Sequence, residues 1–85
     1  MLRIERIKKI LKENFKPLHL KLIDKSKEHI GHNNFSGNGQ THIYLEIKSE
    51  KFKGKKKIQI HREINSLIKH EYNSGLHSLE IKIVN

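Results

Sequence analysis

Residues 42–48 have the sequence His-Ile-Tyr-Leu-Glu-Ile-Lys, in which Ile43, Leu45 and Ile47 occupy every second position. Successive side chains of a strand point to opposite faces, so these three would share one face and the polar side chains the other. The alternation predicts a strand with one buried face. A strand of this kind needs partners, and the sequence on both sides provides candidates.

Upstream of this strand, the chain predicts a helix followed by a second strand. Leu18, Leu20 and Leu22 alternate with polar residues up to Asp24, a pattern typical of a strand that pairs with residues 42–48. Before it, residues 2 to about 14 have apolar side chains at helical spacing, and Pro17 would end that helix. The apolar positions of this first helix are Leu2, Ile7, Ile10 and Leu11.

Downstream, residues 58–72 predict a second long helix and residues 77–83 a third strand. The inward-facing positions of that helix are Ile60, Ile64, Leu67, Ile68 and Glu71. Gly75 suits the end of the helix, where a positive φ is common. The order helix, strand, strand, helix, strand predicts an α+β fold, a two-layer sandwich in which two main helices cover one face of a three-stranded sheet. This α-β-β-α-β arrangement is compatible with a KH-like fold.

Length and composition indicate one small folded domain over residues 1–85. The chain is 34% hydrophobic and 32% charged, and it contains no cysteine. It therefore offers no disulfide, no thiol nucleophile and no thiolate ligand. No apolar run approaches the length of a membrane-spanning helix or a signal sequence, so we expect a cytoplasmic protein with no membrane partner.

The net charge of +9 suggests an anionic partner such as nucleic acid or an acidic protein. Nearly all of the excess is lysine, which lacks the bidentate fork of arginine. The chain is also rich in Ile and Asn, and this bias can reflect a genome of low GC content. Both explanations of the charge stay open.

Several short motifs, in order along almost the whole chain, resemble the BolA family. Asp24-Lys-Ser-Lys-Glu-His29 resembles its Asp-x-Ser-x-x-His segment, and Gln40-Thr-His42 its entry to the second strand. Phe52-Lys-Gly54 resembles its Phe-x-Gly turn, Ile60-His-Arg62 its Arg-His-Arg, and Gly75-Leu-His-Ser-Leu79 its Gly-Ile/Val-His-Ala-Leu. Gln40 replaces an acidic residue, Ile60 an arginine and Ser78 an alanine.

The resemblance implies a class II KH-like fold and a partner, a monothiol glutaredoxin, with which the family bridges a [2Fe-2S] cluster. It implies that His77 is a ligand and that a histidine of the loop 25–41 is another. His29 matches the motif, and His32 is an alternative. Other relatives are described as DNA-binding transcriptional regulators of stress response and cell shape.

The chemistry of the remaining histidines is less specific. We expect structural or supporting roles for His42 and His61. A zinc site of His29, His32 and His42 is an alternative, because zinc accepts three imidazoles, but the spacing is not diagnostic. Without a thiolate this chain cannot build an ordinary iron–sulfur site alone, so a partner must supply sulfur.

A basic turn precedes and enters the second helix and is the candidate nucleic-acid surface of the alternative function. It comprises Lys51, Lys53, Lys55, Lys56, Lys57 and Arg62. The chain has no Gly-x-x-Gly loop, and its aromatic residues are scattered. No catalytic motif or small-molecule site is evident, so we expect a non-enzymatic protein, monomeric or weakly dimeric. A scaffold that contacts a partner through residues 58–72 is a third possibility.

Overall fold

A computed structural model describes residues 2–26 and 40–85 and confirms the predicted α+β architecture. Helix α1 spans Arg3–Phe15, strand β1 His19–Asp24 and strand β2 His42–Lys48. A short 3-10 turn, Glu50–Phe52, leads to helix α2 at Lys57–Leu67, helix α3 at Lys69–Asn73 and strand β3 at Ser78–Ile83.

The three strands form one mixed sheet with β2 in the centre. Strand β1 pairs with β2 antiparallel, with Leu22 opposite Leu45. Strand β3 pairs with β2 parallel, with Leu45 opposite Ile81. The parallel pairing requires a crossover, which α2 and α3 provide, and it places the beginnings of β2 and β3 at the same end of the sheet.

The core lies between the sheet and the helices. It is made of Ile7, Leu11, Phe15, Ile43, Leu45, Ile47, Phe52, Ile60, Ile64, Ile68 and Leu76. Ile43, Leu45 and Ile47 are the inward face of β2, as their alternation predicts, and Leu45 is fully buried. Burial of each such side chain stabilises the fold by about 1.5–3 kcal/mol.

Three sequence-based expectations differ in detail from the structure. Leu18 and Leu2 lie just outside β1 and α1 and are 64% and 59% exposed, so neither joins the core. The predicted helix 58–72 is divided at Ile68, whose φ of −108° and ψ of 18° are not helical. Ile68 stays buried at this break, and Tyr72 Oη donates a 2.7 Å hydrogen bond across it to Asn65 Oδ1.

Glycines occupy two turns where the backbone requires them. Gly54, in the turn before α2, has a φ of 78°, and Gly75, before β3, has a φ of 121°. Residues with a side chain are strained at these positive φ angles, whereas glycine is not. The structure confirms the expectation that Gly75 ends the second helical region.

Candidate functional site

The first candidate site lies where β2 and β3 begin side by side. The rings of His42 and His77 meet there edge to face, with centroids 5.4 Å apart. His77 is exposed and His42 is half-buried. Because the two strands run parallel, their first residues are neighbours in space although they are far apart in sequence.

Thr41 holds both histidine-bearing segments together. Its carbonyl oxygen accepts hydrogen bonds from the backbone N–H groups of His77 at 2.8 Å and Ser78 at 3.1 Å. Its Oγ1 lies 3.0 Å from Nδ1 of His42, a hydrogen bond that orients the imidazole ring. Thr41 is itself buried, so its position is fixed by packing.

The motif Asp24-x-Ser26 closes onto Gln40 at the same end of the sheet. The Ser26 N–H donates to Asp24 Oδ1 at 2.9 Å, and the Ser26 hydroxyl bonds the same oxygen. The Gln40 N–H donates to Ser26 Oγ at 2.9 Å and to Asp24 Oδ2 at 3.1 Å. Asp24 and Ser26 therefore fix the backbone of Gln40, two residues before His42.

Gln40 also connects this end of the sheet to α1. Its Oε1 accepts a 2.9 Å hydrogen bond from the backbone N–H of Ile4, in the first turn of the helix. The backbone of Gln40 has a φ of 57°, which is unusual for a residue with a side chain. The glutamine side chain thus acts as an N-terminal cap of α1, because it accepts a hydrogen bond from a backbone N–H that has no partner within the helix.

Glu71 is a fully buried carboxylate close to this network. It accepts hydrogen bonds from Arg6 Nε at 2.8 Å and Arg3 Nε at 2.9 Å. The hydrogen bond from Arg6, and then that from Arg3, holds the pKa of Glu71 down at about 2 against the opposing effect of burial. His70 Nε2 lies 3.1 Å from the same carboxylate.

Sequence reasoning assigned no role to Arg3 or Arg6. It did place Glu71 on the inward face of the second helix, and an acid at an apolar position is a signal that buried cations must accompany it. Arg3 and Arg6 are three residues apart and so lie on one face of α1, where both can reach a common partner.

The predicted histidines are only partly brought together. His77 and His42 are adjacent, and the supporting role of His42 stays a prediction. His61 is half-buried in α2, outside this pair. His29 and His32 lie outside the described residues, so the loop ligand and the zinc site stay predictions. Within residues 2–26 and 40–85, no group of three metal-ligating side chains occurs.

The predicted basic surface lies at the other end of the sheet. All six of its side chains belong to exposed residues. Lys53, Lys55 and Lys57 line one groove, whereas Arg62 lines a second concavity beside Asn14 and Phe15 of α1. Lys51 Nζ donates a 3.3 Å hydrogen bond to Asn14 O, next to the second concavity. DNA binding by these six residues stays a prediction.

This fold and these motifs define a BolA-like domain, and the chain belongs to the BolA family. The family model described as BolA-like protein matches residues 11–85. The chain is 40% identical over 79 residues to an uncharacterized protein encoded in the cobS 5′ region of a Sinorhizobium species, covering 92% of this chain and 85% of that protein.

Two further relatives are a domain of a larger plant protein and a bacterial transcriptional regulator. The solved structure of the BolA domain of SufE1 from Arabidopsis thaliana superposes with a TM-score of 0.86 at 37% identity, over 98% of this chain and 91% of that one. The whole SufE-like protein 1 is larger, and the chain spans 22% of it. The DNA-binding transcriptional regulator BolA of Escherichia coli is 29% identical over 77 residues, 91% of this chain and 70% of that protein.

No helix within the described ranges is long and apolar enough to cross a membrane.

Proposed function

We propose that this protein is a non-enzymatic adaptor in iron–sulfur cluster handling. It binds a monothiol glutaredoxin, and His77 with His29 or His32 provides imidazole ligands to a [2Fe-2S] cluster shared between the two proteins. The observation that carries the proposal is the exposed imidazole of His77, placed beside His42 at an end of the sheet that a partner can reach.

The donor set fits a shared cluster better than one held by this chain alone. The chain has no cysteine, so every thiolate must come from the partner. Among the described residues, His77 has only one neighbouring imidazole. When bound, a [2Fe-2S] cluster supplies one-electron redox chemistry, and histidine ligation raises its reduction potential.

Histidine ligation also makes the complex sensitive to pH. An imidazole must be neutral to bind metal, so protons compete with the cluster for His77. We expect the shared cluster to be bound less tightly as the solution is acidified. Such weak, reversible ligation suits transfer of a cluster more than its storage.

The decisive experiment mixes the purified protein anaerobically with a cluster-loaded monothiol glutaredoxin and follows visible absorption and circular dichroism. We expect a new cluster spectrum that His77→Ala abolishes. His19→Ala is the matched control. His19 is also an exposed histidine, but it lies at the start of β1, at the end of the sheet away from His77. His29→Ala and His32→Ala then identify the loop ligand.

An unchanged cluster spectrum with the folded wild-type protein would overturn the adaptor proposal. So would an equal loss of signal in His77→Ala and His19→Ala. The DNA-binding hypothesis would then remain, and salt-dependent binding to duplex DNA would test it, since each phosphate contact adds to the salt slope.

A further inference from the structure

The end of the sheet opposite His77 carries a groove of about 330 Å³. It lies where β2 and β3 finish, next to the 3-10 turn and the start of α2. The wall includes Leu18, Ile83 and Val84. Backbone hydrogen bonds fix two of them, since the N–H of Leu18 donates to Lys48 O and that of Val84 to Ile47 O, both at 2.8 Å.

The charges around this groove are strongly one-sided. Four lysines and one glutamate line it, namely Lys48, Lys53, Lys55, Lys57 and Glu50. Lys55 is paired with Glu63 at 2.9 Å. Within the described residues, no ion pair involves Lys48, Lys53 or Lys57. By contrast, the lysines along α1 that line another concavity, Lys8, Lys9 and Lys12, are interspersed with Glu5 and Glu13.

The apolar part of the groove is aliphatic and partly open to solvent. Leu18 is 64% exposed, the largest exposed fraction among the large apolar side chains of the described residues. The one aromatic ring in the lining, Phe52, is 8% exposed and packs on Phe15 with ring centroids 5.1 Å apart. The groove thus presents an aliphatic contact inside a positive rim.

We propose that this groove binds a short acidic peptide segment of a partner protein, with one aliphatic side chain of that segment against Leu18, Ile83 and Val84. Carboxylates of the segment pair with Lys48, Lys53 and Lys57. The excess of positive charge is greater here than in the concavity on α1, which has three lysines and two glutamates, whereas the groove has four lysines and one glutamate.

Nucleic acid is a poorer occupant than an acidic peptide. Recognition of single strands depends on stacking of bases on aromatic rings or arginine planes. The groove contains no arginine, and its only aromatic ring is buried. A flat anionic membrane is also disfavoured, because the aliphatic contact lies within a concave surface. The proposal does not depend on cluster binding, since the length of β2, about 20 Å, separates the groove from His77.

The test measures fluorescence anisotropy of the full chain with a labelled peptide of about ten residues, acidic throughout except for one central leucine. Lys53→Glu combined with Lys57→Glu should weaken binding by about tenfold or more. The control, Lys8→Glu combined with Lys9→Glu, changes the net charge equally on α1 and should change binding by less than about threefold.

The aliphatic contact is tested separately. Replacing the central leucine of the peptide with serine should weaken binding by about fivefold in wild-type protein and by much less in Leu18→Ser, since burial of apolar area is then already lost. Amide chemical shifts should move for residues 48–57 and 83–84.

Equal weakening by the groove and control variants, or indifference to the leucine, would overturn the proposal. Tighter binding of a single-stranded oligonucleotide than of the peptide, again lost in the groove variant, would also overturn it and assign the groove to nucleic acid. Circular dichroism of each variant checks that it is folded. Of the substituted residues, Lys8 is half-buried and the others are exposed.

Discussion

Arg3 and Glu71 stand 68 positions apart, yet Arg3 Nε donates a 2.9 Å hydrogen bond to Glu71 Oε1 in the interior of the protein. The same guanidinium donates to Gln40 O at 2.8 Å and to Ser74 O at 2.7 Å. Gln40 precedes His42, and Ser74 lies in the turn before His77. One arginine therefore joins α1 to both segments that carry the histidine pair.

Glu71→Gln should destabilise the protein by about 2 kcal/mol at neutral pH, because hydrogen bonds to charged groups contribute about 1.5–3 kcal/mol. Glu13→Gln, an exposed substitution on α1, should stay within about 0.5 kcal/mol. Urea denaturation followed by circular dichroism measures both. Equal effects of the two substitutions would show that the buried ion pairs contribute nothing net.

The contribution of Glu71 should depend on pH. Its pKa in the folded protein is about 2, against an ordinary value of 4.5, so the unfolded chain binds more protons between these values. The stabilisation is therefore complete above about pH 4.5 and is lost as the pH falls toward about 2. The gap in unfolding free energy between wild type and Glu71→Gln should narrow from about pH 6 to about pH 3. A difference in unfolding free energy that does not change with pH would contradict the lowered pKa of Glu71 in the folded protein.

Arg3→Lys should cost more stability than Arg6→Lys. The side chain of Arg3 is 12% exposed and that of Arg6 is 38% exposed. Arg3 donates hydrogen bonds to three residues, Glu71, Gln40 and Ser74. Lysine cannot reproduce that planar geometry. We expect a loss of about 1–2 kcal/mol for Arg3→Lys and about half of that for Arg6→Lys, measured by urea denaturation. A larger loss of stability in Arg6→Lys than in Arg3→Lys would show that the hydrogen bonds of Arg3 are not the main link between α1 and the segments it contacts.

Much of the fold could be predicted from sequence because its apolar periodicities are clear. The alternation of Ile43, Leu45 and Ile47 located the central strand, and the order of elements favoured the observed sheet. The break at Ile68 was not predictable in the same way, since Ile64, Ile68 and Glu71 continue the helical stripe across it. Ile64 before the break, Ile68 at the break and Glu71 after it are all fully buried. The spacing of inward-facing positions is therefore the same as in an unbroken helix and does not reveal the break.

The candidate site was only partly predictable, because its geometry depends on long-range contacts. The motif around His77 marked that residue, but its neighbour His42 follows only from the parallel register of β2 and β3. The connections of Arg3 to Gln40 and Ser74 join residues that no local pattern relates. Leu18 was predicted to lie in the first strand from its alternation with Leu20 and Leu22, but it precedes that strand and is 64% exposed.

Gln40→Glu should stabilise the protein. The Gln40 side chain accepts from the Ile4 N–H in the first turn of α1, where a negative charge is favoured by the helix dipole, and Arg3 lies beside it. We expect a gain of about 0.5–1 kcal/mol, which corresponds to about 2–8 °C in Tm for a domain of this size. Gln40→Ala, which removes the acceptor and keeps the positive φ, should lower Tm. A decrease in both variants would show that repulsion from Asp24 outweighs the cap.

His42→Asn should separate the roles of the two histidines. The His42 ring contacts His77 edge to face, and Thr41 Oγ1 orients it, so His42 limits the positions open to the His77 imidazole. We expect His42→Asn to shift the ring resonances of His77 in the protein alone. With cluster-loaded glutaredoxin, it should weaken complex formation by about tenfold while leaving the form of the spectrum unchanged, as substitution of a ligand's supporting neighbour does. A complete loss of the cluster spectrum, equal to that of His77→Ala, would instead make His42 a ligand in its own right.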